Sequence, residues 1–140
     1  MTSDHLSKAQ RSANMARIKG KDTLPELAVR SALHQRGFRF RLHLKELPGK
    51  PDIVLRKFSS VIFVNGCFWH QHICCIGRYP KTNEAFWKEK LSKNVERDKR
   101  NRDILRKLGW RVFDVWECEL KTAKFEKSID ELCWRIRIGP

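Results

Sequence analysis

No stretch of this sequence approaches the length of a membrane span, and the opening Met1-Thr-Ser-Asp-His is too polar for a signal peptide. A cytosolic protein is expected. Internal repeats, linkers and low-complexity tracts are also missing, so the 140 residues are expected to form one domain with a single core. Acidic side chains are few: 16 Asp and Glu stand against 30 Lys and Arg, leaving a formal charge of +14 spread along the chain. Such a field attracts polyanions, of which nucleic acid is the commonest. Ribosomal proteins are as basic, so charge alone says nothing about catalysis. In a reducing compartment, five cysteines point to metal binding or reactivity before disulfides.

What is present centres on Val61-Ile-Phe-Val-Asn-Gly-Cys-Phe-Trp-His-Gln-His-Ile-Cys-Cys75. Four β-formers ending in Asn65-Gly66 read as a buried strand and its turn. Behind the turn, Cys67, His70, His72, Cys74 and Cys75 fall within nine residues, and Cys118 follows a later strand. A structural zinc ion wants four such ligands in a tetrahedron, and a local cluster with one distant cysteine fits that need. Side chains at alternate positions of an extended segment point to opposite sides, so one of His70 and His72 is expected to join the thiols. The other then faces the start of the strand that Asp52 opens. Phe68 and Trp69, bracketed by these ligands, and Trp87 beyond them, either pack against the metal site or stack on bases.

The remaining segments supply the frame. Residues 1–20 read as a basic arm leading into a short helix, suited to a nucleic-acid groove or simply solvated. Thr23-Leu-Pro-Glu26 is a capping-box pattern, so Glu26 has a plain role at a helix N-terminus; Leu27, Val29, Ala32 and Leu33 give that helix an apolar side and Gly37 stops it. Residues 38–44 alternate apolar and polar, a half-buried strand with its basic residues outward. Residues 47–51 form a turn, and 52–55 and 61–64 an antiparallel hairpin, in which Asp52 after Pro51 has ordinary turn chemistry as its alternative reading. Residues 82–109 read as helix with a bend near Asn94. Its apolar positions are Phe86, Trp87, Leu91, Val95, Ile104, Leu105 and Leu108; its basic ones are Lys88, Lys90, Lys93, Arg97, Lys99, Arg100 and Arg102. A strand over 110–116 and a helix over 125–138 close the chain, with Ile129, Leu132, Cys133 and Ile136 toward the core. The order predicts an α/β fold, a small mixed sheet with helices on both faces.

Pro51-Asp52, Phe63-x-x-Gly-Cys-Phe-Trp-His70-x-His72-x-Cys74, Asn94-Val-Glu-Arg-Asp98 and Gly109-Trp-Arg-Val…Val-Trp-Glu-Cys118 closely resemble the very short patch repair (Vsr) DNA mismatch endonucleases. Arg11-Ser-x-Asn-Met15 and Asp22-Thr-x-x-Glu26 extend the likeness to the N-terminal part. The resemblance implies a restriction-endonuclease-like fold and a monomeric, Mg²⁺-dependent enzyme of the bacterial cytoplasm, acting at the nucleoid. It would nick duplex DNA on the 5′ side of a T mispaired with G. Such mispairs arise by deamination of 5-methylcytosine, which implies association with a DNA cytosine methyltransferase. By matching position, Cys67, His72, Cys74 and Cys118 would hold structural Zn²⁺. Asp52 and the main-chain carbonyl of Val64 would bind Mg²⁺, and His70 would act as general base or acid, oriented by Asp98. Glu26 would be a further acidic group there, and Phe68, Trp69 and Trp87 the wedge that enters the duplex.

Val64-Asn65 stands where a Thr-His pair is usual in that family. Only a carbonyl is asked of Val64, whereas Asn65 can donate a hydrogen bond but cannot carry a proton. Gln71 replaces a common histidine. Two other readings compete with a mismatch endonuclease: within the same class, a nicking or restriction-type nuclease on intact sites, and from another class, a zinc-stabilised DNA-binding protein without catalysis. A zinc hydrolase fits poorly, because three cysteines around the ion suggest a closed site.

Overall fold

The computed structural model describes residues 23–67, 72, 79–120 and 123–138; the expected arm and short helix at 1–20 lie outside them. Helix α1 (Leu24–Gln35) begins at Thr23, whose Oγ1 accepts the Glu26 N–H at 3.3 Å, with Pro25 in the first turn where no N–H is needed. Gly37, at φ +86°, ends it in the left-handed conformation that a side chain would oppose. Val29, Ala32 and Leu33 are buried along one stripe.

The strand expected over 38–44 shrinks to β1 (Arg41–Leu42). His43, at φ +48°, turns the backbone out of extended geometry and ends the pairing, leaving Leu42 39% exposed while Phe38 still reaches the core. Strand β1 pairs antiparallel with β2 (Ile53–Leu55), and β2 pairs antiparallel with β3 (Ser60–Asn65) through a short 3₁₀ turn over Arg56–Phe58. Strand β4 (Arg111–Trp116) lies parallel to β3. That direction needs a long crossover, which α2 (Glu84–Lys107) provides. The helix runs unbroken through Asn94, where the sequence suggested a bend. A four-residue helix α3 (Glu117–Leu120) and then α4 (Phe125–Ile138) follow.

The sheet order β1-β2-β3-β4 makes β2 and β3 central, and every residue of β2 is buried. On one face Ile53, Leu55, Ile62 and Val115 meet Val29 and Leu33 of α1 and Ile129, Leu132, Cys133 and Ile136 of α4. On the other face Val54, Val61 and Phe63 meet Leu105 of α2. Cover on both faces is why these strands read as apolar runs without alternation. Helix α2 contributes less to the core than its composition suggested: only Leu91 and Leu105 are buried, and Phe86, Val95, Ile104 and Leu108 are exposed. One helix lying on one sheet face buries a single narrow stripe. At Gly49, φ +77°, a Cβ would approach the Asn101 Cβ to 3.1 Å and the Phe63 ring to 3.3 Å, so the turn over 47–51 sits tightly against α2. Among the described residues no helix is long and apolar enough to cross a membrane.

Candidate active site and metal centre

The hairpin register pairs Ile53 with Ile62, which carries Asp52 to the end of the sheet where β3 leaves it. There the Val64 N–H donates to Asp52 Oδ2 at 2.7 Å. The carboxylate is thus aimed by main chain, and turn chemistry at the Pro51-Asp52 step does not account for its position. Glu26 comes to the same corner from α1 and is 1% exposed. Its carboxylate meets Arg30, one helical turn on, and His43 Nε2 at 2.6 Å. A role confined to the helix cap is therefore too small for it. His43 Nε2 also lies 3.9 Å from Asp52 Oδ1 and 3.5 Å from Arg30. One ligand atom from each of Glu26, His43 and Asp52 falls within 4.8 Å of the other two. Two carboxylates with a single imidazole form a hard, oxygen-rich donor set, suited to Mg²⁺ or Mn²⁺.

His43 was not legible as a site residue. Simple alternation along 38–44 turns it outward with Arg39 and Arg41, and only the left-handed backbone at this position redirects it. Histidine is one of the residue types that tolerate such a φ, which is the faint signal the sequence offered.

A second cluster begins three residues after Val64. The His72 N–H donates to the Cys67 carbonyl at 2.9 Å. His72 Nδ1 then lies 3.8 Å from Cys67 Sγ and 3.4 Å from Cys118 Sγ. Cys118 is carried on α3, immediately beyond β4, and its N–H donates to Cys67 Sγ at 3.4 Å. The His72 ring stacks on Trp116, 4.1 Å between centroids and 15° between planes. Ligand atoms of Cys67, His72 and Cys118 lie within 4.8 Å of one another, and two thiols with one imidazole nitrogen suit zinc. The parallel pairing of β3 and β4 produces this meeting, because it brings both strand exits to one end. The fourth expected ligand, Cys74, lies outside the described residues, as do His70, Phe68 and Trp69.

Asn65 is 3% exposed and fully committed. Its Nδ2 donates to Asp114 Oδ1 at 2.8 Å, and its Oδ1 accepts from Arg102 Nη2 at 3.2 Å. Arg102 also holds Asp114 through Nε at 2.9 Å and Nη2 at 2.6 Å, and its guanidinium lies 4.0 Å above the Phe63 ring. Arg102, counted from sequence among the phosphate-facing residues, is turned inward. Its Nη1 donates to the carbonyl of Asp98, which is half-buried on α2. Trp87 lies in the first turn of that helix, edge-on to Phe86 at 5.5 Å, with the Lys90 ammonium 5.7 Å from the Trp87 ring centre and 5.9 Å from that of Phe86. Phe86 is 57% exposed, so this end of α2 presents aromatic surface and positive charge together.

A family model described as DNA mismatch endonuclease Vsr matches residues 3–76. DNA mismatch endonuclease Vsr of Escherichia coli (strain K12) is 47% identical over 128 residues, covering 91% of this chain and 81% of its own length. Type II nicking enzyme V.XorIIP of Xanthomonas oryzae pv. oryzae is 50% identical over 117 residues, with 84% and 86% covered. Type II nicking enzyme V.NmeAIP of Neisseria meningitidis serogroup A is 49% identical over 118 residues, with 84% of each chain covered.

Proposed function

Since the chain belongs to the DNA mismatch endonuclease Vsr family and is a DNA endonuclease, we propose that it nicks one strand of duplex DNA 5′ of a T mispaired with G. The observation that carries this reading is the meeting of Asp52, Glu26 and the Val64 main chain at the exit of β3, next to a thiol–imidazole cluster. Asp52, with the Val64 carbonyl, holds the divalent cation, and Glu26 adds buried negative charge beside it. Bound Mg²⁺ supplies charge neutralisation at the scissile phosphate and lowers the pKa of the attacking water. His70, steadied by Asp98, moves the proton, and the phosphodiester bond that breaks leaves its electron pair on the departing oxygen.

Cys67, His72, Cys74 and Cys118 clamp Zn²⁺ as a structural ion, fixing the loop that carries His70, Phe68 and Trp69. Those two aromatics and Trp87 enter the stack. Unstacking costs a few kcal/mol, and least at a mispair, so the wedge itself contributes to selectivity. The mixed sheet with helices on both faces supports a restriction-endonuclease-like fold, and residues 1–140 form one nuclease domain. The enzyme works as a monomer in the bacterial cytoplasm, in functional association with a DNA cytosine methyltransferase.

A second reading has support of its own: several relatives are named type II nicking enzymes, which fits site-specific nicking of intact DNA. End-labelled duplexes, one with T·G in varied contexts and one fully paired, are incubated with Mg²⁺ to separate the two. A nick confined to the mispaired strand supports mismatch repair, and cutting of the paired duplex supports the alternative. Asp52→Ala is expected to lower the nicking rate by at least about a thousandfold while DNA binding and zinc content stay unchanged. Undiminished nicking by that variant rules out the assignment of Asp52.

A further inference from the structure

We propose that His43 is a nitrogen ligand of the divalent cation at the Asp52 corner, and that it shifts the preference of this site from Mg²⁺ toward Mn²⁺. The inference rests on the reading that Asp52 and Glu26 hold a catalytic cation. Three observations lead to it. His43 Nε2 is the atom that faces both carboxylates, 2.6 Å from Glu26 and 3.9 Å from Asp52. In an octahedral shell with bonds of about 2.1 Å, neighbouring ligand atoms sit about 3 Å apart, so these separations need only small adjustments to surround an ion. Second, the ring reaches this position through a left-handed backbone at φ +48°, which ends β1 after two residues. For a residue other than glycine this conformation is disfavoured, and the fold maintains it. Third, the placement is held from both sides: the His43 N–H donates to the Asp52 carbonyl at 3.3 Å, and the His43 side chain is only 19% exposed.

The donor type gives the consequence. Mg²⁺ takes oxygen ligands and keeps its waters, whereas imidazole raises affinity along the series that runs from Mn²⁺ toward the later divalent metals. An all-oxygen corner discriminates little in favour of Mn²⁺; one nitrogen among the ligands does. Ligation needs an unprotonated Nε2, so the ring carries its proton on Nδ1 when the ion is bound. The hydrogen bond to Glu26 is then replaced by a shared cation. Arg30, already on Glu26, keeps part of that carboxylate's charge neutralised when the cation is absent.

The test uses the zinc-loaded full chain, with and without a paired duplex, titrated with Mn²⁺. Electron paramagnetic resonance counts bound ion, and spin-echo envelope modulation detects nitrogen attached to it. The expected result is one Mn²⁺ with a nitrogen modulation that falls in His43→Gln. In that variant Mn²⁺ affinity should drop about tenfold or more, while Mg²⁺ affinity, from competition, changes less than about threefold. Zinc content and thermal midpoint on the same samples report folding, and His43→Asn is the second variant should the first fold poorly. Unchanged modulation and affinity in both variants overturn the proposal and leave His43 as a hydrogen-bond partner of Glu26. Mn²⁺ binding that survives Asp52→Ala, or no binding under either condition, overturns it together with the cation site itself.

Discussion

At the scale of single residues, Asn65 and Cys133 show how burial settles roles that residue type leaves open. Asn65, which can donate a hydrogen bond but cannot carry a proton, ties β3 to β4 and α2 by satisfying Arg102 and Asp114 at once. A buried network of this kind is stable only when every member is paired. Asn65→Ala is expected to lower unfolding free energy by about 1–3 kcal/mol, because it leaves Asp114 and Arg102 short of one partner each. Urea denaturation measures it, and a loss below about 0.5 kcal/mol would show that water replaces the amide without penalty. Cys133 is 3% exposed on α4, and burial pushes its thiol above the ordinary cysteine value, with Arg36 and Arg137 partly opposing. A thiol held neutral in this way is a packing group, in keeping with its place on the apolar side of α4.

At the scale of elements, the chemistry lies where strands end. The exits of β3 and β4 lie side by side because the two strands are parallel, and Cys67 and Cys118 follow those exits directly. Joining them by a metal would fasten α3 to the end of β3 and fix the loop between β3 and α2. Cys118→Ser is therefore expected to weaken zinc binding by about a hundredfold or more, read with a chromophoric chelator, and to lower the thermal midpoint. Full zinc affinity in that variant would remove Cys118 from the site. Asp52→Ala, by contrast, should leave zinc in place, since its carboxylate is held by Val64 and belongs to the other cluster.

The whole molecule is governed by its charge of +14. Along α2, Lys88, Lys90, Arg97, Lys99 and Arg100 are exposed, while Lys93 is paired with Glu89 and Arg102 is turned inward. DNA binding should weaken steeply with salt, the logarithm of the affinity falling linearly with that of the salt concentration. Replacing Lys88, Arg97 and Arg100 by alanine should flatten that slope by roughly 0.9 for each phosphate no longer neutralised, measured by fluorescence anisotropy on a paired duplex across a KCl series. An unchanged slope would mean that α2 does not face the backbone. Arg102→Ala should instead act on stability, since its guanidinium is already taken by Asp114 and Asn65.

Sequence alone determined the elements that depend on local pattern. The cap at Thr23, the stop at Gly37, the β2–β3 hairpin, the buried face of α4 and the gathering of Cys67 and His72 behind a strand were all legible, because capping, turns and periodicity act over a few residues. Family membership was legible too, through motifs spread along the chain. Tertiary structure decided what depends on neighbours distant in sequence. It shortened the strand at 38–44, exposed Phe86 and Ile104 on α2, and drew Arg102 off the basic face to Asp114. It also brought Glu26, Asp52 and His43 to one corner. Spacing gives the direction of a side chain relative to its own element; which carboxylate it then meets is set by how three elements pack together, and for His43 by one left-handed residue that no pattern announces.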